Sequence, residues 1–257
     1  EEQADRLLAV DDPRGAIAAI DNAIALNPTR LAAHRTRVDL LLVAERNEEA
    51  ADSMLALAEI SAPVDRRPAL WRAAEFIGSR LGDVARAQGI LDKVREEGEP
   101  HPTTERISAK IYHDRAMFEE EAAALDRLAS AIDDDTKRGS VLRELSKLAL
   151  ECLFDSELSE QALLRALEID PADLTALEML GQSRESDDIK SHYDAAFDTI
   201  RARLDKNPLD VKQIAALRQV SSLLEDDIRA ALCADATAFL EGSPARSSST
   251  AGFGDAI

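Results

Sequence analysis

The sequence predicts an all-α fold of stacked antiparallel helical hairpins, an α-solenoid, and three observations carry that reading. Its 257 residues include 45 Ala and 33 Leu against 10 Gly and 9 Pro, a composition that favours helix. One Trp, two Tyr and six Phe are too few aromatic residues for a sandwich or barrel. Helix-stopping prolines recur at Pro28, Pro63, Pro100, Pro171, Pro208 and Pro244, spaced 35, 37, 71, 37 and 36. The 71-residue gap is two periods whose missing mark is the acidic break Asp133-Asp134-Asp135-Thr136, a turn as good as proline. The period is therefore about 36 residues, for about seven divergent units.

The elements follow in order. Ala4 and Leu7 read as the last turns of a first helix, with half a repeat upstream, and Ala16, Ile20 and Ala23 as its partner helix, closed by Pro28. Ala50, Met54 and Leu57 give the next second helix, closed by Pro63. From about Pro68, the residues Trp71, Ala74, Glu75 and Gly78 run along a first helix, Gly82-Asp83 breaks it, and Ala87, Leu91 and Val94 continue on a second. Asp83 is placed to cap that second helix, and Pro100 ends the pair. Over 102–136 two registers compete, one on Ile107 and Ile111, the other on Ala124, Leu128 and Ala131. Leu163, Ala166 and Pro171 close a later unit; Leu174, Leu177, Leu180 and Gly181 open the next, and Ala196, Ile200 and Pro208 end it. The Ser-rich run after Gly242 reads as a mobile linker or tail over 243–257, leaving 1–242 as the repeat domain. One hairpin cannot bury its apolar face alone, whereas stacked hairpins share a core. Trp71 is expected to anchor that packing, at about 3–5 kcal/mol on truncation if fully buried.

These residues resemble the tetratricopeptide repeat (TPR) family, whose helix-turn-helix unit carries Trp, Leu, Gly, Tyr, Ala, Phe, Ala and Pro at fixed places. Trp71 stands at the family's Trp and Ala87 where the second helix needs a small residue; the match covers 1–100 and 155–210. The resemblance implies a right-handed superhelical α-solenoid whose first helices line a concave face that grips a peptide or helix. The fold by itself does not establish that role.

Charge and motifs bound the function. A net charge of −19 repels polyphosphate and anionic membranes, so nucleic acid is an unfavourable partner. The longest apolar run, Leu40 to Ala44, is far short of the roughly 20 residues of a membrane span, which predicts a soluble chain without membrane insertion. The first residues carry no signal-peptide pattern in this form, and an upstream piece removed by processing would fit equally. Cys152 and Cys233 form no CxxC and read as small buried hydrophobes; unpaired, they favour the cytoplasm, with the periplasm left open.

No cofactor or metal is called for. HExxH is absent; Asp133-Asp134-Asp135 fails as a calcium loop and as a DDxxD magnesium cluster because Lys137 and Arg138 stand at ligand and glycine positions. GxGxxG, GxxxxGK[ST] and GxSxG are absent too, so the reading is non-enzymatic, with a helical metal-dependent enzyme suggested only by the acidic clusters.

What stands out is a row of cations on successive first helices: Arg35, Arg72 and Arg106, then Lys110 and His113, with Asp39 and Phe76 one turn after the first two arginines. On an inner face such guanidinium groups would recruit carboxylates by bidentate hydrogen bonds. Exposed arginines that pair with acidic neighbours would give the same spacing without any partner. The paired Asn of the family's carboxylate clamp is missing, since Asp39 and Phe76 occupy those places. Glu119-Glu120-Glu121 and Glu225-Asp226-Asp227 read as helix-start charges, and the acidic excess as a solvated surface. The expectation is a scaffold or adaptor for an acidic protein or peptide. The alternative is a structural or self-associating segment of a larger multi-repeat assembly.

Overall fold

The computed structural model describes residues 13–98, 100–183 and 186–241, and among them every regular element is a helix. In chain order these are α1 Pro13–Leu26, α2 Leu31–Val43, α3 Asn47–Ile60, α4 Pro63–Glu75, α5 Val84–Glu96, α6 Pro102–His113 and α7 Phe118–Ala131. There follow α8 Asp135–Leu148, α9 Ser156–Ile169, α10 Leu174–Ser183, α11 Ser186–Lys206, α12 Val211–Leu223 and α13 Asp227–Leu240. The described helices pair as hairpins, α2/α3, α4/α5, α6/α7, α8/α9, α10/α11 and α12/α13, with α1 before them. Two compact units are present, one up to Asp133 and one from Asp134, each with its own packed interior. The first-helix residues expected at Ala4 and Leu7, and the segment 243–257, lie outside the described residues.

The turns inside five of the hairpins share one backbone feature. Glu45, Gly82, Ala116, Phe154 and Glu225, each between a first and a second helix, have φ of 56°, 80°, 53°, 54° and 58°. The left-handed conformation at that point reverses the chain in two to four residues. In α4 and α8 the approach is a π-helical turn, Phe76–Leu81 and Ala149–Leu153. Three of the second helices, α5, α9 and α13, are then capped by acids: Asp83 Oδ1 accepts from the Arg86 amide at 3.0 Å and Asp155 Oδ1 from Leu158 at 2.9 Å, while Asp226 Oδ1 accepts from Arg229 at 3.0 Å. The acidic break at 133–136 is a turn of the same kind, with Asp134 capping α8 through the Lys137 amide at 2.9 Å.

The first unit holds two apolar clusters. One gathers Ile17, Ile20, Leu40, Leu41 and Ala50 from α1, α2 and α3; the other gathers Ile77, Ala87, Leu91, Ile107 and Ile111 from α4, α5 and α6. Gly78 lets α4 approach α6, since a Cβ there would lie 2.6 Å from Ile111, which is itself fully buried. In the second unit, Leu142 and Leu145 of α8 and Leu163 of α9 are fully buried, as are Leu177 and Leu180 of α10, and Ser146 and Ser159 form a buried hydrogen bond of 2.8 Å between α8 and α9.

Four expectations are refined. The two registers over 102–136 belong to one hairpin: Ile107 and Ile111 are the buried side of α6, Ala124 and Leu128 that of α7. Helix α4 begins at Pro63 rather than Pro68, which sits inside it; Pro63 takes the first turn, where a missing N–H costs nothing, and Pro68 falls in a segment exposed enough that Val64 is 80% accessible. Trp71 is half-buried, its Nε1–H donating to Thr104 Oγ1 at 2.9 Å and its ring 4.6 Å from that of His101. It clips α4 to α6 at the edge of the core, so truncation removes less than full burial would. Cys233 is buried, but Cys152 in the π turn after α8 is only half-buried.

Candidate functional site

The candidate site lies on the first helices of the first unit. Arg35 on α2, Arg72 on α4 and Arg106 on α6 are all exposed, and each stands ten residues before the left-handed residue of its turn, Glu45, Gly82 or Ala116. Asp39, Phe76 and Lys110 follow at equal spacing, four residues later on the same three helices. The Lys110 ammonium pairs with the Glu75 carboxylate of α4, tying the two first helices together, and this hydrogen bond and charge raise the lysine pKa. Arg35 and Arg72 have no ion-pair partner among the described residues.

The remaining predicted residues are engaged differently. Phe76 is half-buried, packs against both apolar clusters and carries Arg80 at 5.7 Å from its ring centre. His113 is exposed, but its Nδ1 lies 3.0 Å from Glu121 Oε1 on α7, so it links the two helices of its own hairpin. That also places Glu121 in the interior rather than on the solvated helix start expected from Glu119-Glu120-Glu121. Asp39 is exposed beside Arg35.

Sequence reasoning missed a buried ionic cluster. Glu105, 3% exposed on α6, accepts from Arg95 Nε of α5 at 2.7 Å and from Arg127 Nε of α7 at 2.8 Å. Arg95 also donates to Ser108 Oγ at 2.7 Å and to Asp92 at 2.6 Å. Burial pushes the Glu105 carboxyl up, but the hydrogen bonds and charges of Arg95 and Arg127 outweigh it and hold the pKa below the ordinary value. The Arg95 guanidinium loses hydration, yet Glu105 and Asp92 keep it more firmly protonated than usual. The only sequence signal was that Glu105 falls between Thr104 and Ile107 on the apolar side of α6.

Two clefts were also not foreseen. One of about 560 Å³ is bounded by Pro63, Val64, Arg66, Arg67 and Pro68 at the start of α4 together with Trp71 and Glu97; Arg66 is 3.6 Å from Glu97. The other, of about 550 Å³, lies in the second unit around the Arg143–Asp173 pair and the Arg203–Asp170 pair, the latter at 2.7 Å. Among the described residues no group of three or more His, Cys, Asp or Glu could hold a metal ion. No helix among them is long and apolar enough to cross a membrane.

No protein-family model matches the chain. No curated protein matches it either. Solved structures do. The chain is similar to the C-terminal part of a TPR repeat-containing protein from Cytophaga hutchinsonii, at 11% identity over 94% of this chain and 95% of that one, with a TM-score of 0.44. A tetratricopeptide repeat protein from Parabacteroides merdae is similar at 13% identity, over 93% of this chain and 91% of that one, with a TM-score of 0.42. A third, YrrB, a TPR protein with an unusual peptide-binding site, is 14% identical over 87% of this chain and 93% of that one, with a TM-score of 0.33.

Proposed function

We propose that the protein is a non-enzymatic interaction scaffold that holds an acidic peptide or protein segment against the first-helix face of its first unit. The observation that carries this reading is the exposure of Arg35 and Arg72 without an ion-pair partner among the described residues, in register with Arg106, on a chain of net charge −19. An acidic chain supplies ample carboxylates, so Arg35 and Arg72, left without an ion-pair partner among the described residues, mark a place where carboxylates from elsewhere are accommodated. Arg forms planar, bidentate hydrogen bonds with a carboxylate and stays charged at every physiological pH. Asp39 beside Arg35 offers a polar contact, and Trp71, Pro63 and Pro68 in the nearby cleft offer apolar ones.

The test is retention of partners from a lysate of the source organism, and of a labelled Glu-rich peptide, by the native chain and by R35E/R72E/R106E. All three positions are exposed, so the variant keeps its helical circular dichroism. Replacing attraction by repulsion at three sites, each worth about 0.5–1 kcal/mol, weakens binding at least tenfold. A partner held equally by both proteins removes the arginine row from the site. Retention of only the chain itself, abolished by dilution, would favour the self-associating segment instead.

A further inference from the structure

We propose a second docking surface, on the outward side of the last hairpin, that takes a basic amphipathic helix of a partner protein. On α13, Ile228, Leu232 and Phe239 are 79%, 64% and 78% exposed. They are the second, sixth and thirteenth residues after the cap Asp226, a spacing that keeps them on one face over about three turns. The same three positions after the caps of four other second helices are exposed and free of large apolar residues. They are Glu48, Asp52 and Glu59 in α3 and Glu157, Gln161 and Glu168 in α9; Ala, Gly and Glu fill them in α5, and Glu, Ala and Ser in α7. A lone exposed apolar residue means nothing, but three in register where those four helices are polar or small form a patch.

The chemistry beside the patch selects the occupant. On α11 the row Asp194, Asp198 and Asp205 repeats the four-and-seven spacing, all exposed. The two helices are joined by Arg229 of α13, whose guanidinium lies 4.4 Å from the ring centre of Phe197 on α11. Arg229 is next to Ile228 and Phe197 next to Asp198, so the apolar row and the acidic row run side by side. Asp235 adds a carboxylate on the apolar face itself; the exposed cations of α11 are Lys190, Arg201 and Lys206, and Arg229 is engaged with Phe197. An apolar stripe flanked by carboxylates complements a helix with Leu-like anchors on one face and Lys or Arg along its edge. A second copy of this chain would bring the same acidic row against itself.

The experiment uses the full chain and a fluorescent 18-residue peptide of Leu and Lys with leucines at positions 1, 5 and 12, read by anisotropy. Its counterpart carries Glu for Lys. The variant I228E/L232Q/F239E rebuilds on α13 the residues that α9 already carries, so it folds; D194N/D198N/D205N removes charge alone. The native chain is expected to bind the Lys peptide and not the Glu peptide, with affinity reduced at least tenfold in both variants and not reduced in R35E/R72E/R106E. That last arm separates this surface from the arginine row. Equal affinity for native and I228E/L232Q/F239E, or no binding at all, overturns the proposal. So does a native dimer in sedimentation that the same variant dissolves, which would assign the patch to a second copy.

Discussion

Glu105 shows how one residue can join three helices. Its two oxygens accept from Arg95 on α5 and Arg127 on α7, both less buried than the carboxylate, so the hydration lost by the anion is made good by two fixed guanidinium donors. Glu105→Ala leaves Arg95 and Arg127 facing an empty site, and because both arginines still reach water the cost is about 2–3 kcal/mol rather than the larger figure for sealed pairs. Urea unfolding of the two proteins at pH 7 measures it. The pH dependence has a definite sign. A carboxyl held below its ordinary value of 4.5 contributes its stability above that value and loses it as pH falls through the lower folded pKa. The gap between native and Glu105→Ala therefore stays constant down to the ordinary carboxylate range and shrinks below it. A gap that widened with acid would mean that Glu105 is protonated in the fold. The charge of Glu105 was invisible in the sequence because partners ten and 22 residues away become neighbours only when α5, α6 and α7 stack.

At the scale of the element, the hairpin turn is where sequence and backbone disagree most. Gly82 is the natural occupant of a left-handed position, yet Glu45, Ala116, Phe154 and Glu225 adopt the same conformation with a Cβ. Phe154 has φ 54° and is 85% exposed, so its ring returns little for the strain. Phe154→Gly is expected to raise stability by about 0.5–1 kcal/mol, relief of the left-handed strain being offset in part by the greater freedom of glycine in the unfolded chain. Thermal unfolding with Gly82→Ala as the opposite control checks it: that variant loses stability, since its Cβ would also meet the Arg115 guanidinium at 2.7 Å. The turns explain which parts of the hairpins were legible. Helix partners and period follow from apolar spacing and proline, and Asp83 and Asp134 were readable as breaks because an N-cap acid is a local signal. The ends of α4 were not legible, since Pro68 looks like a start and only packing tells that Pro63 is one. The arginine row was readable as a spacing, but the engagement of Phe76 in the core and of His113 with Glu121 depends on contacts between helices, which spacing does not carry.

Across the whole molecule the governing quantity is the net charge of −19. Part of the acid is structural, spent on caps such as Asp83, Asp134, Asp155, Asp210 and Asp226 and on pairs such as Arg86–Asp52 at 2.6 Å. The remainder repels itself and destabilises the folded chain, while exposed ion pairs contribute only about 0–1 kcal/mol each. Raising salt from 0.01 to 1 M shortens the screening length from about 30 Å to about 3 Å, which relieves the long-range repulsion and leaves the buried Glu105 cluster nearly untouched. The urea midpoint is therefore expected to rise with NaCl over that range. A fall would show that exposed ion pairs outweigh repulsion. The two proposed surfaces respond to the same titration differently. A basic helix approaching α13 is attracted by its neighbouring carboxylates and by the whole chain, so its affinity drops steeply as salt increases. An acidic segment approaching Arg35, Arg72 and Arg106 is attracted by the row but repelled by everything beyond it, and salt weakens both effects at once. Its affinity changes less. Plotting the logarithm of affinity against the logarithm of salt for the Lys peptide and for a Glu-rich peptide gives a steep negative slope for the first and a shallow one for the second. Equal slopes would mean that local charge, not the total, decides what this acidic array will hold.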